Sequence, residues 1–360
     1  MRRQFSRIRR SPSRSRLVGV GRSWQGGATT SMVGDDRRPK PLREPSMTAI
    51  QIQKYGPTDQ VIVADSGGPS QVGEGQLLIR VAAASINPVD TGIALGYMAE
   101  AMPLDFPITL GTDYSGIVEK VGPGVESFSV GDLVIGQAGV ALGGSGTFAE
   151  YAVGPAVFAA HAPKTLPLVE AATLPLVGAS ALQAIESLRI IPGMTVLVLG
   201  GGGAIGSLGV QLAQAIGAKV IATAGAADHE DVLALGASEV YDYADSSWRE
   251  GLSAVDVILD ASPGLDPAPY YGLLRPGGTM VSLSTQHDEA VAAAAGISAE
   301  TQISVPVTEV LEQFVAAVDA GHVILRIGTT LPLVRAAEAF AADKTTPGKT
   351  LLIVADLTER

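Results

Sequence analysis

The stretch TVLVLGGGGAIGSLGVQLAQAIGAKVIATAG, residues 195–225, constrains this 360-residue chain more than any other. Its apolar run 195–199 reads as a buried strand that passes straight into Gly201-x-Gly203-x-x-Gly206. The pattern over 204–216 reads as a helix opened by those glycines, and a second apolar strand, 219–223, follows. A strand, a glycine turn, a helix and a returning strand make one unit of a parallel sheet, because parallel strands need a long crossover. In that setting the glycines allow a tight turn, close approach of backbone to a pyrophosphate and close helix–sheet packing. The helix N-terminus adds free N–H donors and partial positive charge. The sequence thus predicts a dinucleotide site at Gly201, Gly203 and Gly206.

The second strand ends in Thr223-Ala224-Gly225, where a fold that reads NAD places Asp or Glu against the ribose 2′-hydroxyl. A small neutral end leaves room for a 2′-phosphate, which favours NADPH, with NADH possible. Asp228 reads as the N-cap of a helix over 228–235 rather than as a ribose ligand. His229 is open to two readings, a phosphate contact or an exposed residue at that helix start.

Around this unit the chain changes character. From 47 to 167 it alternates strand-like pieces (49–54, 76–84, 115–121, 133–136, 147–153) with Gly, Pro and Asp turns. From 168 onward helices and strands alternate. Helices are predicted over 168–188, 204–216, 228–235 and 266–274, and strands over 195–199, 219–223, 239–243, 255–260 and 279–283. Strands that are continuous apolar runs imply a sheet covered on both faces. After 303–305, a helix over 308–320, a segment 323–327, a helix over 333–342 and a strand over 350–354 close the chain.

Composition limits the chemistry. The chain has no cysteine, which excludes disulfides, thiolate nucleophiles and cysteine-based metal sites. The four histidines lie far apart, so no metal is expected. Mean hydropathy is +0.29, yet no run approaches the roughly 20 apolar residues of a spanning helix, so no membrane partner is expected. Residues 1–46 hold 12 of the 25 Lys+Arg and 3 of the 36 Asp+Glu, a charge of +9 that leaves –20 on 47–360. A body so acidic repels a phosphate backbone, and nucleic acid is not an expected partner. Residues 1–46 read as a disordered basic extension, with Met47 opening the folded part. An Arg-rich targeting presequence and a basic interaction arm are the other readings. The expected location is cytoplasmic, or the mitochondrial matrix if 1–46 is a presequence.

Further motifs carry a family likeness. They are SINPVDTGIALGY (85–97), GTDYSGIVEKVGPGVESFSVGDLVIG (111–136), GTFAEYAV (146–153), AATLPLVGASALQAI (171–185), GASEVYDY (236–243), LLRPGGTMVSLS (273–284) and TTPGKTLLIV (345–354). With the glycine fingerprint, they resemble the zinc-independent branch of the medium-chain dehydrogenase/reductase superfamily, the quinone oxidoreductase or zeta-crystallin-like group. Zinc-dependent relatives supply Cys near SINPVD and His in a G-H-E motif; here Asn87 and Gly111-Thr112-Asp113 stand there.

The resemblance implies an α/β fold: a GroES-like partial β-barrel from 47–167 and 304–360, with a Rossmann doubly wound parallel sheet at 168–303 between them. It implies a cleft in which Asn87 lies beside nicotinamide and substrate, Asp90 orients that loop, and Tyr97 donates a proton. Tyr97 also reads simply as a partly exposed loop aromatic. Ser180 takes the place of a threonine near the nicotinamide, and Gly203, Ala204 and Ile205 offer pyrophosphate N–H groups. Tyr243 flanks the adenosine phosphate. Lys344 matches a basic position of some relatives, or is a solvated surface lysine. Ser262 and Ser284 fall near the nicotinamide ribose by the topology of the fold.

Without a Lewis acid to acidify an alcohol, the expected chemistry is hydride delivery from NADPH to a quinone or an α,β-unsaturated carbonyl compound. The alternatives are an enoyl thioester reductase, or a low-turnover NADPH-binding sensor or structural protein. The resemblance further implies a homodimer, through the sheet edge near 303–305.

Overall fold

The computed structural model describes residues 46–68, 71–341 and 347–355. Most of the basic extension (1–45) and Lys344 lie outside the described residues. The first strand opens at Ser46.

The glycine unit sits at the centre of a six-stranded sheet. Its strands lie in the order Glu239–Asp242, Lys219–Ala224, Thr195–Leu199, Val255–Asp260, Leu274–Ser282, Ser298–Thr301. Every neighbouring pair is parallel. Counted along the chain, the order reverses direction beside Thr195–Leu199, as in a doubly wound dinucleotide fold. The apolar run in that strand is explained by its two covered faces: Val196 and Val198 join one core cluster, Leu197 and Leu199 another. Helix Ala204–Ile216 lies close on the sheet because Gly209 has no side chain; a methyl there would stand 2.4 Å from Leu259 Cδ2.

The other part has a seven-stranded sheet, antiparallel except for one parallel pair, Ile327–Pro332 with Lys349–Ile353. Ile327–Pro332, Lys349–Ile353, Gln76–Ser85, Asp113–Val121, Leu133–Gln137 and Ala159–His161 follow one another, and Tyr151–Pro155 also pairs with Gln76–Ser85. A three-stranded sheet is built around Ser46–Ile52. The pairing of Leu352 with Ala84 brings the last described strand back beside an early one. Helix Thr308–Asp319 ties the two parts together. Phe314 packs on Gly178, Thr308 Oγ1 donates to Ala159 O (2.8 Å), and Asp319 Oδ1 accepts from Lys164 N (2.8 Å).

Several sequence expectations are corrected. The helix over 168–188 is two, Leu168–Ala171 and Pro175–Ser187, because Pro175 starts a new helix at a position where it has no N–H to lose. The helix over 266–274 shrinks to Ala268–Tyr271, and the segment 323–327 leads into a strand, Ile327–Pro332. Residues 303–305 are not in the sheet; the edge strand is Ser298–Thr301. The physical reason is Gln183, whose amide takes both backbone groups of Val305, at 2.9 and 3.1 Å, away from any ladder. No helix among the described residues is long and apolar enough to cross a membrane.

Candidate active site

At the C-terminal end of Thr195–Leu199 the turn begins with Gly200, φ +79°, a left-handed conformation that favours glycine. The fingerprint spacing had not singled it out. Gly200 N donates to Thr223 Oγ1 (3.1 Å) and Gly201 N to Thr223 O (2.7 Å), so Thr223 pins the turn. Gly203 is the N-cap of helix Ala204–Ile216 and offers no side-chain cap. The first N–H groups, those of Ala204, Ile205 and Gly206, have no acceptor inside the helix. A methyl on Gly206 would stand 2.1 Å from Gly200 O, so only glycine lets the turn close. Free N–H groups at a helix N-terminus that has no side-chain cap fit a pyrophosphate.

Beyond the turn, the ring of Tyr243 borders Gly225: a methyl there would lie 3.6 Å from its Cε1. His229 opens helix His229–Ala234, half-buried, with no hydrogen-bond partner at Nε2 among the described residues. Asp228 makes no side-chain cap, contrary to expectation. Its carboxylate instead pairs with Arg326 Nη2 (3.0 Å), which also holds Asp231 (2.9 Å). The guanidinium offers a stronger, charged partner than an N-cap amide. Asp228 also lies against the turn, with Oδ2 3.0 Å from where a Gly202 methyl would be.

Ser262 Oγ stands 3.0 Å from where a Gly200 methyl would be, and Ser284 Oγ donates to Ser262 O (3.0 Å). The fold thus gathers both serines beside the glycine turn. Buried Asp260, which sequence reasoning missed, holds this corner by accepting from Ser262 N (3.0 Å) and Ser282 Oγ (2.8 Å).

A second cluster is made of side chains. Asn87 precedes helix Pro88–Leu95, and its N–H donates to Asp90 Oδ2 (2.8 Å). The Asn87 amide is engaged at both ends. Nδ2 donates to Asp113 Oδ2 (2.9 Å) and Ser85 O (3.3 Å), and Oδ1 accepts from Lys349 Nζ. Asp113 also accepts from Ser85 Oγ (3.2 Å), Gln137 Nε2 (2.9 Å) and Leu176 N (3.1 Å), with Lys349 Nζ 4.0 Å away. Asp90 Oδ1 accepts from Thr112 Oγ1 (2.7 Å). Asn87, Asp90, Asp113 and Lys349 are all buried. Burial pushes the Asp90 carboxyl up to about 7, against its hydrogen bonds from Thr112 and Asn87. Burial also pushes Asp113 up, and Lys349 opposes that shift.

The cluster borders a cavity of about 170 Å³, lined by Val89, Thr112, Gln137, Gly139, Leu176 and Ser304 among others. Ser180 is buried on helix Pro175–Ser187, next to Ala179, which also lines the cavity. A larger shallow groove, about 520 Å³, runs past Leu182, Ile190, Leu212 and His322 and contains none of the candidate residues.

The three catalytic candidates fare differently. Asp90 is hydrogen-bonded to the Asn87 N–H. Asn87 is 1% exposed with its amide fully engaged, so it holds the cluster together instead of facing the cavity. Tyr97 follows the left-handed Gly96 that ends helix Pro88–Leu95; it is 80% exposed and not among the cavity's lining residues. Thr112, Gln137 and Lys349 were not anticipated as site residues. Lys349 lies 262 positions from Asn87, and no local pattern announces such a pairing.

Comparison with known proteins gives the same two parts. The model of the alcohol dehydrogenase GroES-like domain matches residues 73–164, and that of zinc-binding dehydrogenase matches 204–314. A chloroplastic NADPH-dependent alkenal/one oxidoreductase of Arabidopsis thaliana is 32% identical over 269 residues, 73% of this chain and 67% of that protein. A 2-methylene-furan-3-one reductase of Solanum lycopersicum is 34% identical over 245 residues, 66% of this chain and 62% of its own length. A quinone oxidoreductase of Rattus norvegicus is 31% identical over 311 residues, 81% of this chain and 92% of that protein. The solved quinone oxidoreductase of Coxiella burnetii superposes with a TM-score of 0.79 at 28% identity, covering 86% of this chain and all of the other. A doubly wound sheet with a glycine cradle, a GroES-like part and relatives matched over most of their length place the chain in the quinone oxidoreductase family of the medium-chain dehydrogenase/reductases.

Proposed function

We propose that the protein is an NADPH-dependent oxidoreductase that reduces quinones or α,β-unsaturated carbonyl compounds without zinc. The observation that carries this reading is the bonding of Asn87 and Thr112, which stand where zinc-dependent relatives supply Cys and His. Asn87 is tied to Lys349 and Asp113, and Thr112 to Asp90. An amide and a hydroxyl are poor zinc ligands, and an ammonium beside them adds positive charge that disfavours a divalent cation. With no Lewis acid to acidify an alcohol, the acceptor must be electrophilic already. The names of the Arabidopsis and rat relatives point to the same acceptors.

Bound NADPH supplies hydride from its nicotinamide ring. The residues of this chain that would hold it are Gly201, Gly203, Ala204, Ile205 and Gly206 at the pyrophosphate, and Ser180, Ser262 and Ser284 toward the nicotinamide. Thr223, Gly225, His229 and Tyr243 would take the 2′-phosphate end, beside the Arg326 guanidinium that pairs with Asp228 and Asp231. The cavity volume favours a compact acceptor over a long acyl thioester. Pairing of two copies through edge strand Ser298–Thr301 is the expected assembly.

The test is NADPH oxidation against a panel of quinones, enals and enones, using protein shown to bind the coenzyme. Oxidation with at least one class is expected; none across the panel overturns the reading in favour of a sensor. A higher kcat/KM with NADH than with NADPH would overturn the coenzyme assignment.

A further inference from the structure

We propose that Thr112 delivers the proton that completes enone reduction, with Asp90 behind it as the proton reserve. The inference deepens the reductase reading and rests on it. Its first support is connectivity. Asp90 is wholly buried, and its Oδ1 is joined to Thr112 Oγ1 (2.7 Å), while Thr112 lines the cavity. Its other oxygen, Oδ2, accepts the Asn87 N–H, so a proton on this carboxyl sits on Oδ1, facing Thr112. The hydrogen bond then reverses: Asp90 donates to Thr112 Oγ1, and the Thr112 hydroxyl hydrogen is released toward the cavity.

The second support is charge. Among the described residues, the charged groups facing Asp90 from neighbouring elements are Asp113 and Lys349. Asp113 accepts four hydrogen bonds and lies 4.0 Å from the ammonium, so a proton there would turn a donor away. Asp90 accepts two hydrogen bonds against four at Asp113, so it is the carboxyl that holds the proton and leaves the cluster neutral. Burial raises both carboxyls, Asp90 to about 7, so the division rests on the hydrogen bonds and on the ammonium beside Asp113.

The third support is Gly139. Its φ of –67° and ψ of 154° suit any residue, so the backbone does not require glycine there. A methyl at Gly139 would stand 3.1 Å from Thr112 Oγ1, and both residues line the cavity. The missing side chain leaves the hydroxyl uncovered.

The step balances. The hydride pair forms the C–H bond at the β-carbon, and the C=C π pair shifts toward the carbonyl to give an enolate; the coenzyme is oxidised and the enone reduced. The α-carbon then takes the Thr112 hydroxyl proton, and the Asp90 proton moves to Thr112 Oγ1. Asp90 is left as a carboxylate, to be reprotonated through Thr112 from solvent after product leaves.

The test uses the full chain with NADPH and an α-methyl enone in D2O. Wild type is expected to place deuterium on one face of the α-carbon. Thr112→Val should lower kcat by about 10² or more, keep NADPH Kd within about twofold, and label both faces. Thr112→Ser should restore most of the rate and the single face. Wild-type kcat should fall as pH rises through about 7, a limb absent in Asp90→Asn. Gly139→Ala, which removes no hydrogen-bonding group and crowds the Thr112 hydroxyl, should also lower kcat and covers the case in which Thr112→Val does not fold. The proposal is overturned if Thr112→Val keeps kcat or face selectivity, or if Tyr97→Phe loses the selectivity that Thr112→Val retains. Wild type that binds NADPH but reduces no acceptor would overturn the reductase reading as well, whereas an active wild type with an indifferent Thr112→Val overturns only the relay.

Discussion

The glycine turn and the Asp113 cluster are two polar sites built from opposite materials. The turn presents backbone N–H groups, and its side chains serve it by being absent: a methyl on Gly206 would meet Gly200 O at 2.1 Å. The cluster is held mainly by side chains from four separated stretches of chain, Ser85 to Asp90, Thr112 and Asp113, Gln137 and Lys349, joined by the backbone N–H groups of Asn87 and Leu176 and the Ser85 carbonyl. The turn should therefore be intolerant of bulk and indifferent to charge. The cluster should be intolerant of any change in charge or donor count, because each buried group depends on the others.

The largest effect is expected from breaking the cluster's charge balance. Lys349→Met leaves buried Asp113 without its cation, and a loss of about 3–5 kcal/mol in urea unfolding is expected. A loss below about 1 kcal/mol would show that the ammonium is not needed for stability.

The next test concerns the proton on Asp90. Its folded pKa of about 7 lies above an unfolded value of about 3.9. Between those values the unfolded chain has lost a proton that the folded chain keeps, so stability falls as pH rises from about 4 to 7. Asp90→Asn should flatten that decline, as read by thermal melts across the range; a slope equal to wild type would refute the assignment.

For the turn, Gly206→Ala should raise the Kd for NADPH by about 100-fold, or about 2.7 kcal/mol, through steric opening alone. Titration of coenzyme fluorescence checks it. The smallest change expected is Thr223→Val, which removes the acceptor of the Gly200 N–H. It should cost about 1 kcal/mol of stability and weaken NADPH binding only several-fold.

The two sites also differ in how far they could be read beforehand. The turn lies within a dozen residues, and its strand and helix have the periodicity that reveals such elements, so its place in a doubly wound sheet was legible. Even there, the left-handed residue is Gly200, which lies just before the G-x-G-x-x-G spacing. Asp228 was misjudged because its partner, Arg326, lies 98 positions away. At the cluster, Asn87 and Asp90 were found through a family motif, but the direction of the Asn87 amide was not. Thr112 and Asp113 were noticed only for standing where histidine and glutamate would serve a metal. Lys349 carries no local signal, since a lysine in a strand usually reads as a solvated edge.

By itself, the sequence determined the parallel sheet, the dinucleotide turn and the lack of cysteine ligands. Each depends on composition or on neighbours a few residues apart, where chain geometry leaves few choices. The tertiary structure decided which carboxyls are buried together, which hydroxyl faces the cavity and which cation lies beside Asp113. Those depend on burial and on hydrogen bonds between residues as many as 262 positions apart, distances over which the one-dimensional pattern carries no information.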